Sequence, residues 1–301
     1  MIVVSAVWDA VKRASGLSGL LARPASTVRS GATVPPPVAG ATPSARAAWL
    51  EQTLQEYVTT LGPQHHRSIA ARNNLAAKYA QVGRRTEAIS QFERALEDSV
   101  SALGEDDPQT DVIRENLAGT LDDARRYEEA THHWLELLRQ REQRFGPRDV
   151  STVQARAGLA TAYRRTGQLD SAVTHFERAL ADDPDPGGER VESLRVGLAL
   201  AHRASGRFET AAQQLRMVQA QRMRRLGPRH PDTLSVQLHL GRLQLTAGRF
   251  AAGTRTLEQA YGEALTASDD PDVRVLTMRL RRELAQAYRA MGRERAAAAL
   301  R

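Results

Sequence analysis

Short landmarks ending in glycine recur along this chain at a nearly fixed interval: Leu61-Gly62, Leu103-Gly104, Phe145-Gly146, Gly187-Gly188 and Leu226-Gly227. Their second glycines step by 42, 42, 42 and 39 residues. A second series follows about halfway through each interval, at Gly83, Arg125, Gly167, Gly206, Gly248 and Gly292. A period of this length is the mark of a repeat architecture, so it restricts the fold more than any composition does.

The text between landmarks is helical in pattern. Before each member of the second series stands an apolar patch: Leu75-Ala76-Tyr79, Leu117-Ala118-Leu121, Leu159-Ala160-Tyr163, Leu198-Ala199-His202, Leu240-Gly241-Gln244 and Leu284-Ala285-Tyr288. After it comes a stripe at i, i+4, i+7 spacing, as in Ala88-Phe92-Ala95, Ala130-Trp134-Leu137, Ala172-Phe176-Ala179 and Ala211-Leu215-Val218. Each unit is therefore expected to be an antiparallel helix pair whose small residues allow close approach. One pair cannot bury its own apolar face, whereas stacked pairs share a continuous core, so the predicted fold is an all-α solenoid. Asp107-Pro108 and Asp270-Pro271 read as helix starts, with Asp capping free amides and Pro at the first helical position.

Two stretches carry a resemblance. The run Leu226-Gly227-Pro228-Arg229-His230-Pro231-Asp232-Thr233-Leu234 is nearly the inter-repeat signature of tetratricopeptide repeats in the 42-residue form found in kinesin light chains. Asn74-Leu75-Ala76 through Tyr79, Gly83, Glu87-Ala88 to Ala95-Leu96 is nearly their helix-pair signature. The resemblance spans roughly residues 61 to 301 and implies a right-handed superhelix whose first helices line a concave surface. Residues 45 to 60 resemble the second helix of a leading half repeat, with Trp49-Leu50 and Leu54 set beside Trp134 and Leu138. The expected organisation is thus a segment 1–44 followed by an array 45–301 of a half repeat and about six pairs, the last one cut short. Departures stand out: Arg125 replaces a turn glycine, His202 and Gln244 replace an aromatic, and Gly253 replaces a packing alanine. The last substitution predicts that the fifth pair is the loosest.

Composition removes most enzymatic chemistries. There is no cysteine, hence no thiol nucleophile, disulfide framework or Cys-ligated metal. Lys12 and Lys78 are the only lysines, and neither follows a glycine, which excludes a phosphate-binding P-loop. His65-His66 and His132-His133 are adjacent, so their side chains diverge by about 100° on a helix and offer no two-ligand face. The acidic loops Glu105-Asp106-Asp107 and Asp182-Asp183-Pro184-Asp185 lack the alternating carboxylates and distal Glu of a calcium loop. The chain is expected to be neither an enzyme nor a holder of a metal or cofactor.

The first residues differ from the rest. Val4, Val7, Trp8 and Val11 recur at helical spacing, so residues 3 to 15 are expected to form a short amphipathic helix with Lys12 and Arg13 on its polar side. From Gly16 to Ser44 the text is rich in Gly, Ser, Ala, Thr and Pro, and is expected to be a disordered linker. Basic residues follow the opening apolar run rather than precede it, which argues against a secretory signal. No later apolar run is long enough for a membrane span. The cytoplasm of a GC-rich bacterium is the expected setting.

The remaining question is what a concave surface would bind. The first-helix positions that the resemblance turns inward carry Asn73 in the first unit and Asp122 and Asp123 in the second. Later units place Arg164, Arg165, Arg203, Arg242, Arg282 and Arg289 there. Asn74 and Asn116 fall where family members use an amide to hold a ligand backbone, while Gly158, Gly197 and His239 take that place later. Such a surface suits a protein or peptide partner with an acidic portion, held by bidentate arginine contacts, and the chain reads as a scaffold or adaptor. Similar arrays serve as sensor ends of signalling NTPases, so an NTPase in trans is one candidate partner. The competing expectation is that these arginines pair within the array, with Glu192, Glu283 or Asp123. The rival class is nucleic-acid binding through the basic segments 216–229 and 279–301.

Overall fold

The computed structural model describes residues 42–267 and 270–300. The amphipathic helix expected over 3–15 and most of the linker lie outside the described residues. Thirteen α-helices and no strand occur among the described residues. They are α1 (Pro43–Leu61), α2 (His66–Gln81), α3 (Arg85–Leu103), α4 (Pro108–Asp123), α5 (Tyr127–Phe145), α6 (Val150–Arg165), α7 (Leu169–Asp182), α8 (Glu189–Ala204), α9 (Phe208–Leu226), α10 (Pro231–Thr246), α11 (Phe250–Leu265), α12 (Pro271–Ala290) and α13 (Glu294–Ala298). The first helix begins inside the stretch read as linker. Thr42 accepts a hydrogen bond from the Ala45 amide at 3.2 Å, and a proline at the first helical position has its φ already set.

First and second helices of a pair start in different ways. Five first helices, α2, α4, α6, α10 and α12, are capped by a side chain: His65, Asp107, Asp149, His230 and Asp270 each accept from a main-chain N–H two residues on, at 2.7–3.2 Å. The second helices α3, α5, α7, α9, α11 and α13 have no side-chain cap and are entered from a residue near φ −80°, ψ 60°. That entry requires the left-handed residue just before it, which is where the second glycine series lies. Arg125 occupies one of these positions with φ 66°, the single non-glycine with positive φ among the described residues.

The array divides into two compact units, one ending at Arg190 and the other beginning at Val191. In the first, each helix of α1–α7 packs on its neighbour, and the first helices α2, α4 and α6 also touch in succession. Its core joins Leu75, Tyr79, Phe92, Leu117, Leu121, Trp134, Leu137 and Leu159, with Leu50 and Leu54 of α1 against it. In the second, Leu234, Leu238, Leu257, Val273, Leu276, Leu280 and Leu284 form the core, with Tyr288 and Leu300 against it. No described helix is long and apolar enough to cross a membrane.

Two readings of the sequence change here. The fifth pair is not slack at Gly253: a Cβ there would lie 2.8 Å from Leu245 Cγ and 3.0 Å from the Gly241 carbonyl oxygen. Glycine at both 241 and 253 lets α10 and α11 approach more closely than alanine permits. In α1, Leu50 rather than Trp49 stands at the repeat position of Trp134, because the helix ends at Gly62 as α3 and α5 end at Gly104 and Gly146.

Candidate functional site on the first helices

Each unit presents its own set of the expected binding residues. In the first, Asn73 and Asn116 are half-buried on neighbouring first helices, and the Asn116 amide donates to Asn73 Oδ1 at 3.2 Å. Asn74 lies beside them, half-buried. The two carboxylates at the end of α4 behave differently. Asp123 is exposed, but Asp122 is buried and accepts a hydrogen bond from the Trp134 indole N–H at 2.9 Å. Asp122 therefore belongs to the packing of α4 on α5 rather than to an open surface. Its second oxygen has no hydrogen-bond partner among the described residues. Burial pushes its carboxyl up to about 7, with Asp123 adding to the effect, while the indole and the cations Arg165 and Arg164 oppose it.

Arg164 and Arg165 end α6 and are half-buried. The Arg165 guanidinium lies 5.8 Å from the centre of the Tyr127 ring. Both cations act against the upward shift of the Asp122 carboxyl at the end of α4. Gly158, at the amide position of α6, has a different role: an added Cβ would lie 2.6 Å from the Trp134 ring, so the bare backbone makes room for that indole.

In the second unit Arg203 and Arg242 are half-buried, and Arg242 Nε lies 3.3 Å from Glu283 Oε1. Burial holds the Arg203 guanidinium below its ordinary value, Arg242 adds to this, and Glu283 opposes it. Arg282 and Arg289 stand exposed on α12. The arginines thus form a graded series, from a paired cation to two that face solvent.

The basic segments are less uniform than their composition. In 216–229, Arg222 is buried and bonded to Glu192 at 3.0 Å and to the Asp232 carbonyl at 2.9 Å. Arg225 also bonds Glu192, Arg216 meets Glu209, and Arg229 meets Glu263. Most of that positive charge is committed to internal partners. In 279–301, Arg293 approaches Glu258 at 4.0 Å, and Arg301 lies outside the described residues.

Arg222 belongs to a network that the sequence reading missed. Its counterpart Arg141 bonds Asp111 and Glu115 of α4, at 2.6 Å each, and the Ser151 carbonyl at the start of α6 at 2.9 Å. Burial works against that guanidinium, yet the two carboxylates hold it above its ordinary value. At the same position of the next pair stands Asp183, buried and bonded to Arg190 at 2.5 and 2.9 Å. One signal was available: Asp111 with Arg141 and Glu192 with Arg222 are both opposite charges 30 residues apart.

Comparison with known proteins agrees with this architecture. Tetratricopeptide repeat models match residues 68–109, 109–185 and 190–262. No curated protein matches the chain. Among solved structures, the nearly identical TPR-like repeats of a Podosopora anserina protein that carries the kinesin light chain name share 22% identity. They cover 67% of this chain and 97% of theirs, with a TM-score of 0.61. A tetratricopeptide repeat protein from Parabacteroides merdae covers 98% of this chain and 91% of its own at 14% identity, with a TM-score of 0.61. The apo form of RapI covers 86% and 88% at 13% identity, with a TM-score of 0.64. These likenesses are of fold. With repeat models matching most of its length, the chain belongs to the tetratricopeptide repeat family.

Proposed function

We propose that this protein is a non-enzymatic scaffold that binds an extended peptide or helix with an acidic portion on the first-helix faces of its units. Membership of a family built for protein–protein interaction is the coarse basis of this reading. The finer part rests on one observation: Arg164, Arg165, Arg203, Arg242, Arg282 and Arg289 all lie on first helices, and Arg282 and Arg289 are exposed. A guanidinium stays charged at ordinary pH and offers a fork of donors that fits a carboxylate, so clustered Arg favours Asp- or Glu-containing ligands. An NTPase acting in trans would fit as a source of such a segment.

The test is binding of fluorescent 15-residue peptides of graded Asp and Glu content to the full chain, beside a variant carrying Arg165→Gln, Arg242→Gln, Arg282→Gln and Arg289→Gln. The expected result is that acidic peptides of particular sequence bind and the variant loses them while its helical circular dichroism is unchanged. Binding of single-stranded oligonucleotides that is indifferent to sequence and collapses with added salt, with no peptide retained, would overturn the reading in favour of nucleic acid. The internal pairing of Arg216, Arg222, Arg225 and Arg229 counts against that rival.

A further inference from the structure

Of the buried acids among the described residues, Asp122 is the one without a bonded cation. Asp111 and Glu115 share Arg141, Asp183 holds Arg190, and Glu192 holds Arg222. Asp122 lies at the end of α4 and is 8% exposed, and its Oδ2 accepts the Trp134 indole N–H at 2.9 Å. Its Oδ1 has no hydrogen-bond partner among the described residues. A carboxylate enclosed with one neutral donor is unfavourable in its ionised form, so this group takes up a proton far more readily than an exposed aspartate does.

A cation nevertheless stands over the same turn. Residues 43 apart meet across first helices of this unit: Asn116 bonds Asn73, and Gln109 bonds the His66 carbonyl. Asp122 and Arg165 have the same separation on α4 and α6, which also touch. The Arg165 guanidinium lies 5.8 Å from the ring of Tyr127, the first residue of α5 beyond the turn that Asp122 precedes. Arg165 is half-buried, and its Nε has no hydrogen-bond partner among the described residues. The charged groups that act on Asp122 are Asp123 of its own helix, which favours the proton, and Arg165 and Arg164 of α6, which disfavour it. From α5 it receives the neutral indole.

A ligand carboxylate bound to Arg165 takes up the attraction that this arginine otherwise offers to Asp122. Asp122 and the ligand thus compete for one cation, and protonating Asp122 releases the cation to the ligand. We propose that Asp122 couples this face to pH: with its carboxyl protonated the face around Arg165 accepts an acidic segment, and with it ionised the face holds that segment less well. The inference rests on the reading that acidic segments bind the first-helix arginines, and it adds a regulating residue to that reading. By reciprocity, the bound segment must raise the affinity of Asp122 for its proton by the same factor.

The test uses the full chain and the fluorescent acidic 15-residue peptides, made without histidine, at pH 6 to 8 and constant ionic strength, where the peptide acids stay ionised. The first readout is the Trp134 indole N–H signal in nitrogen-15 NMR, assigned by its loss in Trp134→Phe. It should titrate with a midpoint of about 7 in the parent and stay still in Asp122→Asn. The second readout is peptide affinity, expected to be roughly threefold tighter at pH 6 than at pH 8, out of a full span of about fivefold. Asp122→Asn should bind at both pH values as the parent does at pH 6, and Arg165→Gln should lose the dependence together with affinity. Saturating peptide should carry the indole midpoint upward by about 0.7 pH unit, the same factor of five. An indole signal that does not move between pH 5 and 9 overturns the proposal whatever the peptides do, and so does a pH dependence that survives in Asp122→Asn. Equal peptide binding at pH 6 and 8, with the indole titrating, overturns the coupling and leaves the scaffold reading in place. Acidic peptides bound by neither the parent nor Asp122→Asn at any pH overturn that reading and the proposal with it.

Discussion

At the end of its second helix the α4–α5 pair carries Arg141, and the α6–α7 pair carries Asp183 at the same repeat position. The contrast continues through both pairs. Asp111 and Glu115 of α4 correspond to Val153 and Ala157 of α6, so the acids are absent where the arginine is absent. Asp183 instead takes its cation from Arg190 at the start of α8. Trp134 with its partner Asp122 corresponds to Phe176 and Arg164, and the strained turn at Arg125 corresponds to Gly167. Two pairs with one backbone therefore differ by exchange of whole sets of residues, each closed on itself. At Arg141 and Asp183 the buried charge comes together with its counter-charge, because a buried ion left alone costs several times what a neutral contact returns.

The strongest way to break this comparison is to remove one member of a set. Arg141→Leu leaves Asp111 and Glu115 facing each other without a cation, and should cost about 3–5 kcal/mol by urea denaturation at neutral pH. Changing Asp111, Glu115 and Arg141 together to leucine should recover most of that loss. If the single variant is no worse than the triple, the set is not a unit.

The next effect depends on pH. Asp122 has a folded-state pKa of about 7, above that of the unfolded chain, so the folded form binds the proton more tightly. Its contribution to stability is complete below the unfolded value and is lost as pH rises through 7. Asp122→Asn should therefore flatten the stability profile between about pH 4 and 7, gaining on the order of 2 kcal/mol over the parent at pH 8. A parent and variant with parallel profiles would remove Asp122 from the set. Arg164→Gln, at its counterpart in the next pair, removes one of the cations that oppose the shift and should carry the parent's slope to higher pH.

Gly158→Ala places a methyl group against Trp134 and should cost about 1–3 kcal/mol. Trp134→Phe, which imports the ring of the next pair, should relieve part of that penalty, so a double-mutant cycle reads the coupling directly. The smallest effect is at the turn: Arg125→Gly should stabilise by about 0.5–1 kcal/mol in thermal melts, since Gly167 holds the same conformation without a Cβ. A loss of stability there would mean that the Arg125 side chain does more than occupy the turn.

The sequence made the backbone legible because backbone geometry repeats. Glycine at the left-handed turns and small residues at helix crossings recur at 42-residue spacing, and that pattern placed the helices of the pairs within a few residues of where they lie. Side-chain chemistry was legible only where it repeats as well. The buried networks were missed because at that position the repeat reads Ser99, Arg141, Asp183, Arg222 and Ala264, a column with no common residue type. Gly158 was read as a lost clamp because its meaning depends on the volume of Trp134 in another helix. Asp122 was read as a surface acid because nothing local indicates that an indole N–H waits beneath it.

The bonds that tie one pair to the next, such as Asn116 to Asn73 and Gln109 to the His66 carbonyl, join residues 43 apart. Among the described residues of each unit the helix contacts join neighbours in sequence, so assembly can start at a well-formed pair and spread to the next. The same locality governs failure. Within each unit, amide protons of helices packed on both sides should exchange last.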